Sequence, residues 1–263
     1  MKRYLTLLVE YFLQYAKVRL GYQGDFIISV VTTLVATGFG LGVVLLLFGR
    51  APRLAGWSFD EILFLYGFSL IPMALFNTVS INLYYFGNAY IVEGKFDRVL
   101  LRPVHSLFQI LCEQFRLESL SDGAAGVVVV WYAAGRLGLE LGLIGWLSLG
   151  LAAGCGFVIY LSVFVLLTCV SFWMEDRVGV MPPVYNMIAF GRYPLKIYNG
   201  FLQFLLSWII PFAFATFYPS AHLLRRVEYT PYFWLLPAVA AVFFTLGVAL
   251  WNRGVRNYAS TGS

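Results

Sequence analysis

The sequence predicts an all-α membrane protein: six transmembrane helices preceded by an N-terminal interfacial amphipathic helix. Three observations carry this. Five long runs hold no Asp, Glu, Lys or Arg: Phe26–Phe48, Ile62–Phe86, Leu141–Met174, Ile197–Tyr218 and Tyr229–Trp251. A helix rises ~1.5 Å per residue and needs ~20 apolar residues to cross ~30 Å of hydrocarbon, so each run is long enough. Charged residues make up only 12% of the 263, roughly half the share of a soluble domain. Too few remain to solvate a second, water-soluble domain. The charges that do occur cluster between the runs.

The first element is Tyr4–Leu20. Leu5, Leu8, Val9, Phe12, Ala16 and Leu20 fall at helical spacing on one face, and Thr6, Glu10, Gln14 and Lys17 on the other. Such a helix lies in the interface plane rather than crossing. Gly21–Asp25 breaks it, so residues 1–25 form the interfacial helix and its connector. The first two spans follow at 26–48 and 62–86. The third is shorter in its charge-free part, Gly123–Gly135. A full crossing that ends there begins near residue 115 and draws Arg116, Glu118 and Asp122 into the membrane. The fourth run exceeds what a bilayer needs and is read as one long, tilted helix over 143–173, with two re-entrant halves as the alternative. The last two spans are 198–217 and 231–252, and residues 253–263 form a polar tail. The transmembrane domain is thus 26–252, with an inner segment at about 88–106 and an outer re-entrant segment at about 218–230.

Direction follows from Lys and Arg. With the N-terminus inside, thirteen basic residues fall on inner segments and five on outer ones. The positive-inside rule then puts both termini in the cytoplasm. Arg225 and Arg226 run against that trend. The net charge of +5 is a matter of topology, not of nucleic-acid binding, because no basic stripe interleaved with aromatics occurs in a polar segment.

Several chemistries find no support. Cys112, Cys155 and Cys169 lack metal-ligand spacing and read as small buried hydrophobes. Met1–Leu20 carries charge at both ends and no small-residue cleavage site, so it is not read as a cleavable signal. His105 and His222 fall on opposite predicted sides. No clustered nucleophile, base or metal set emerges. There is no Gly-x-x-x-x-Gly-Lys-Ser/Thr phosphate loop, since Gly94-Lys95 is followed by Phe96. Trp57, Trp131, Trp173 and Trp234 lie near span ends, as in an interfacial belt.

Two places carry the functional signal. The inner loop Glu93-Gly94-Lys95-Phe96-Asp97-Arg98-Val99-Leu100-Leu101-Arg102-Pro103 sets Phe96, Val99 and Leu100 on one side and Lys95, Arg98 and Arg102 on the other. It reads either as a surface helix whose arginines hold lipid phosphates or as a docking element for a cytoplasmic partner. The second place is the membrane charge. Asp122 lies ~20 Å from the outer end of its helix, with Glu118 four residues before it. Carboxylates at that depth line a wet cavity and favour cationic amphiphiles, or else the helix starts lower and they stand among headgroups. Glu113 and Arg116 are spaced to pair along a helix. Asn77, Thr78, Ser80 and Asn82 either face a pore or knit helices together; Asn77 and Ser80 are the pathway candidates. Gly38-x-x-x-Gly42 and Gly150-x-x-x-Gly154 permit close helix contact.

The 93–103 stretch resembles the corresponding segment of ABC-2 type exporter permeases. So does Arg192-Tyr193-Pro194-Leu195-Lys196-Ile197-Tyr198, followed by Ile210-Pro211-Phe212-Ala213-Phe214 and Tyr218-Pro219. The likeness is to the subgroup with six spans and no fused ATPase. It implies half of a dimeric pore, paired with an identical or homologous permease, in the bacterial inner membrane among its lipids. It implies two cytoplasmic ATP-binding subunits that hold the ATP and Mg, with no cofactor on this chain. Glu93, Gly94, Phe96, Asp97, Arg98, Arg102 and Pro103 would then form the main ATPase-coupling helix. Arg192, Tyr193 and Pro194 would form a second inner loop, and the segment after Tyr218 a re-entrant outer element. A self-contained secondary transporter or channel is the alternative from residues alone, with Asp122 as its sole candidate for a charge relay.

Overall fold

A computed structural model describes residues 2–49, 52–174 and 181–259. Among the described residues the structure is helical, without β-strands. Arg50 and Arg177, counted in the charge bias, lie outside them.

The chain opens with α1 (Lys2–Gly21) and α2 (Gln23–Phe48), then α3 (Phe59–Val79) and the short α4 (Ile81–Tyr84). A wide π turn at Gly87–Val92 leads to α5 (Phe96–Leu100) and α6 (Ser106–Glu113). The long α7 (Leu120–Arg136) and α8 (Leu143–Cys169) follow, then α9 (Met181–Met187). Three short pieces, α10 (Gly200–Phe204), α11 (Phe212–Ala215) and α12 (Phe217–Leu223), precede α13 (Thr230–Asn257). Four helices among the described residues are long and apolar enough to cross a membrane: Gln23–Phe48, Phe59–Val79, Leu143–Phe172 and Val227–Asn257. A fifth crossing is available if the pair Gly200–Ile209 and Phe212–Leu223, bent by 70°, counts as one span. α7 has 17 residues, about 25 Å of helix, and falls short of that length.

α3 is the centre of the bundle. Its residues Ile62 to Leu70 are buried without interruption, the pattern of a helix surrounded on all sides. Lipid tails are as apolar as Leu, so helices in a bilayer associate through close van der Waals fit. The most extensive packing in the molecule, α3 against α7, shows how. A methyl group added at Gly126 would come within 2.6 Å of the Gly67 carbonyl oxygen and 2.9 Å of Leu70 Cβ. Only glycine lets the two backbones approach this closely. By contrast, nothing stands within 4 Å of such a group at Gly38, Gly42, Gly150 or Gly154. The two spaced glycine pairs singled out in the sequence are open, and the contact glycines are others.

The start of α3 is built by its own residues. Ser58 Oγ accepts from the Glu61 backbone N–H and Glu61 Oε2 accepts from the Ser58 N–H, a capping box. Glu61 also pairs with Arg226 at 2.7 Å, and Arg226 lies over the Trp57 ring at 4.9 Å. This accounts for one of the two arginines that oppose the charge bias, and it buries Trp57 rather than leaving it in an interfacial belt. Arg136 and Asp60 stand 3.6 Å apart at the same end. A Glu61→Gln variant is expected to lose about 1–2 kcal/mol, since Arg226 remains partly solvated. Thermal unfolding of the detergent-extracted protein checks this; an unchanged midpoint contradicts it.

The opposite end gathers α1, the 93–119 region and the C-terminus. Tyr4 meets Phe108, and Phe12 and Tyr15 meet Phe115, all edge-on. His105 Nε2 is 3.0 Å from Asn252 Oδ1. α1 contacts the body along this aromatic edge, while Leu5, Leu8, Val9 and Leu20 stay exposed, as a lipid-facing stripe would. His222 bonds Thr230 at the head of α13, ~33 Å along that helix from Asn252. The two histidines are thus at opposite ends.

Four spans differ from the sequence reading; the fifth, expected at 198–217, is the pair bent by 70°. The second stops at Val79, because Asn82 donates to the Ile110 carbonyl and Thr78 O accepts from the Arg116 N–H, which turns the chain aside. The third begins irregularly: Gln114 is extended and Leu117–Ser119 form a tight turn before α7. The last runs to Asn257, past the predicted tail boundary, with Arg253 and Arg256 near its C-terminal dipole.

Candidate functional site

The 93–103 segment is positioned from within. Gly94 has φ +68, a left-handed conformation that glycine adopts without cost, and it turns the chain from the π turn into α5. Phe96 is fully buried among the rings of Phe86, Phe172, Trp251 and Tyr258. Val99 is buried as well. Helical spacing then leaves Arg98 and Arg102 outside and Leu101 85% exposed. Leu100 was expected beside Phe96 but is exposed at 42%, since α5 has only five residues and its apolar face is two side chains wide. Phe96 is therefore an internal anchor, and the outward set is Arg98, Leu101 and Arg102.

The remaining members of the segment brace it. Glu93 pairs with Lys95 at 2.8 Å and accepts from Asn88. Arg102 reaches the Tyr11 hydroxyl at 3.4 Å, which ties the segment to α1. Asp97 is half-buried and partnered, and Pro103 is exposed. Behind them, Tyr90 donates to Glu113 at 2.6 Å. Burial, with the Glu113 carboxylate beside it, pushes the Tyr90 phenol well above its usual range. Glu113 therefore does not pair with Arg116: α6 ends at Glu113 and Gln114 is extended, so helical i,i+3 spacing is lost.

Asp122 faces a cavity of about 320 Å³ between α2, α3 and α7. Arg136 marks the far end of α7, so Asp122 lies ~21 Å below it. Asp122 accepts a short hydrogen bond from the Thr37 hydroxyl, and Tyr66 donates to the Thr37 carbonyl at 2.9 Å. Asn77 lines the same cavity and accepts from the Tyr185 hydroxyl at 3.1 Å. A second cavity of about 280 Å³ shares Asn77, Arg116 and Tyr185 and is lined by Ser80, Phe76 and Phe164. Thr78 and Asn82 instead bond backbone carbonyls. Irregular backbone at membrane depth is tolerated where it borders a cavity. The stretch before α7 does this, carrying Arg116 and Ser119 into the lining.

Glu118 is placed differently from its expected role. It is buried, and its Oε1 is 3.6 Å from both Arg19 Nη2 and Arg116 Nε. It ties α1 to the head of α7 and is not a lining residue.

Arg192 also departs from expectation. It does not join the α1 end. Its Nη2 lies 3.0 Å from Met73 Sδ and its guanidinium 5.5 Å from the Tyr66 ring centre, midway along α3 and in the Asp122 cavity. Pro194 is buried, Tyr193 is half-buried, and Lys196 pairs with Glu228 beside α13's first turn. Residues 192–196 therefore climb from mid-depth to the Glu61 end instead of forming a second loop next to Arg98 and Arg102. The sequence reading missed Thr37, Tyr66 and Tyr185. Thr32, Thr33 and Thr37, within two turns of a helix whose second half is apolar, were the available signal for a polar face on α2.

Two cavities at membrane depth, and a charged, internally anchored segment at one end of an apolar bundle, are features of a transport subunit. A family model described as ABC-2 family transporter protein matches residues 32–262. Curated proteins and solved structures return no match. ABC-2 permeases are non-catalytic membrane subunits that associate with ATP-binding subunits. This chain, a multi-pass membrane protein matched over nearly its whole length, belongs to the ABC-2 family of ABC transporter permeases.

Proposed function

We propose that this chain is the permease subunit of an ATP-driven exporter, half of a dimeric pathway. Two cytoplasmic ATP-binding subunits dock on α5 and its flanks. The observation that carries this reading is the division of labour in α5. Phe96 fastens it to Trp251 of α13 and to Phe172 just beyond α8, and Val99 is buried too, while Arg98, Leu101 and Arg102 project outward. A push on the exposed side reaches the spans through the aromatic cluster. Arg and a large apolar side chain are suited to anchoring a partner.

The excess of Lys and Arg at the end that holds both termini and α5 supports a cytoplasmic orientation for that end. It survives the relocation of Arg192 and Lys196. The bacterial inner membrane is the setting this orientation fits. α2 is largely uncovered, which leaves room for a second permease beside the cavity.

Replacing Arg98 by Glu is expected to uncouple ATP hydrolysis from transport with the spans still inserted. In the assembled complex, basal hydrolysis continues and transport falls at least tenfold. Unaltered coupling in Arg98→Glu contradicts the docking assignment.

A further inference from the structure

We infer that the Asp122 cavity takes the oxyanion head group of an anionic amphiphile, held by Arg192 and Arg116, with its tail in the adjoining cavity. The inference rests on the transport reading for its purpose, though not for the binding itself. It reverses the charge preference expected from Asp122 and Glu118.

The first observation is Arg192. Arginine offers five N–H donors and stays charged. Here the Nε is buried with no acceptor among the described residues, and Nη2 reaches only a thioether, a weak acceptor. No described carboxylate stands within ion-pair reach of it. A guanidinium at that depth is costly unless something answers its charge.

The second observation is the balance of charge. The cavity lining holds Arg116 and Arg192 against Asp122 alone. Asp122 already accepts from Thr37, and Glu118, which is not in the lining, stands 3.6 Å from both Arg19 and Arg116. With the residues that pair with the lining included, three guanidiniums (Arg19, Arg116 and Arg192) stand against two carboxylates (Glu118 and Asp122), which leaves one formal positive charge. A cation entering would meet both lining arginines. A phosphate or carboxylate would meet the planar guanidinium of Arg192, whose Nε no described acceptor fills, in the arrangement that binds such groups bidentately.

The third observation concerns the tail. The neighbouring cavity shares Arg116, Asn77 and Tyr185 and is walled by Phe76, Ile81 and Phe164. An apolar chain leaving a head group at Arg116 enters it directly. Each cavity is near the lower size of known ligand pockets, so together they fit one single-chain amphiphile or part of a lipid.

The test is calorimetric titration of the full chain in phosphatidylcholine nanodiscs without ATP. The probes are dodecyl phosphate, dodecyltrimethylammonium and inorganic phosphate. Dodecyl phosphate is expected to bind saturably, at one per chain, and at least tenfold tighter than either other probe. Arg192→Gln is expected to weaken it at least tenfold, Arg192→Lys less, and Asp122→Asn to tighten it severalfold. Should Arg192→Gln fail to fold, Arg192→Lys and Asp122→Asn carry the test. Tighter binding of the ammonium probe, or affinity unmoved by these substitutions, overturns the inference. Adding phosphatidylglycerol to the nanodiscs separates the sources: competition identifies a bilayer lipid, and its absence a free amphiphile, and either result supports an oxyanion site. Because no ATP is present, intact binding with no ATP-coupled transport would refute only the transport reading. ATP-coupled transport without oxyanion binding would refute only this inference.

Discussion

A Phe96→Ala variant is expected to lose transport while its spans remain in place. Phe96 is fully buried, with ring centres of Phe86 and Phe172 at 5.5 Å and Tyr258 at 5.0 Å. Truncating a buried Phe to Ala costs about 3–5 kcal/mol, partly through the cavity left behind. That loss falls on a five-residue helix, too short to hold itself without tertiary contacts. Arg98, Leu101 and Arg102 would keep their chemistry and lose their position. Basal hydrolysis by the assembled complex should persist, with transport reduced more than tenfold. The melting temperature of the chain should fall as well. Phe96→Leu, which refills most of the volume, should recover much of both. Full transport by Phe96→Ala would show that the segment does not transmit force through this anchor.

The second large effect is expected at Gly126. A leucine there drives its Cβ to within 2.6 Å of a backbone oxygen on α3. Overpacking usually costs about 1–3 kcal/mol when side chains can yield. Here the obstacle is backbone, in the most extensive helix pair of the molecule, so the cost should exceed that range. Gly126→Leu should lose its monodisperse peak after detergent extraction. Gly38→Leu and Gly154→Leu meet open space and should extract like the parent protein. If all three behave alike, the α3–α7 contact does not hold the bundle as described.

These two positions also show what the sequence could reveal. Four of the five charge-free runs marked long helices, because length and apolarity decide which segments can cross a bilayer, whereas Ile197–Tyr218 holds the bent pair. The exposed arginines of 93–103 were legible too, since helical spacing separates them from Phe96. The packing glycines were not. Spacing singled out Gly38, Gly42, Gly150 and Gly154, yet a small residue matters only where another backbone approaches, and one sequence does not say which faces meet. Gly123 and Gly126 lay in a run of small residues that hinted at it.

The cavity was half legible. The depth of Asp122 followed from counting residues back from Gly135. Its neighbours did not follow, because Arg192 reaches it from a segment read as a cytoplasmic loop. That reading placed the fifth span at 198–217. In the structure the chain climbs from α9 through Arg192 to the Lys196–Glu228 pair, and then turns back through the bent pair. Short, irregular helices carry no clear apolar period, so this path was invisible to pattern reasoning. The local role of Glu118 was hidden in the same way: its partner Arg19 comes from α1, far away in sequence.

On the proposed function, α5 receives movement from an ATP-binding subunit. A photo-crosslinking side chain at position 101, where Leu101 is 85% exposed, tests it in native membranes. The expected result is an adduct with an ATP-binding subunit, identified by mass spectrometry, whose yield changes when ATP is added. Absence of any ATP-binding protein at that position, in membranes where the chain is transporting, would contradict it.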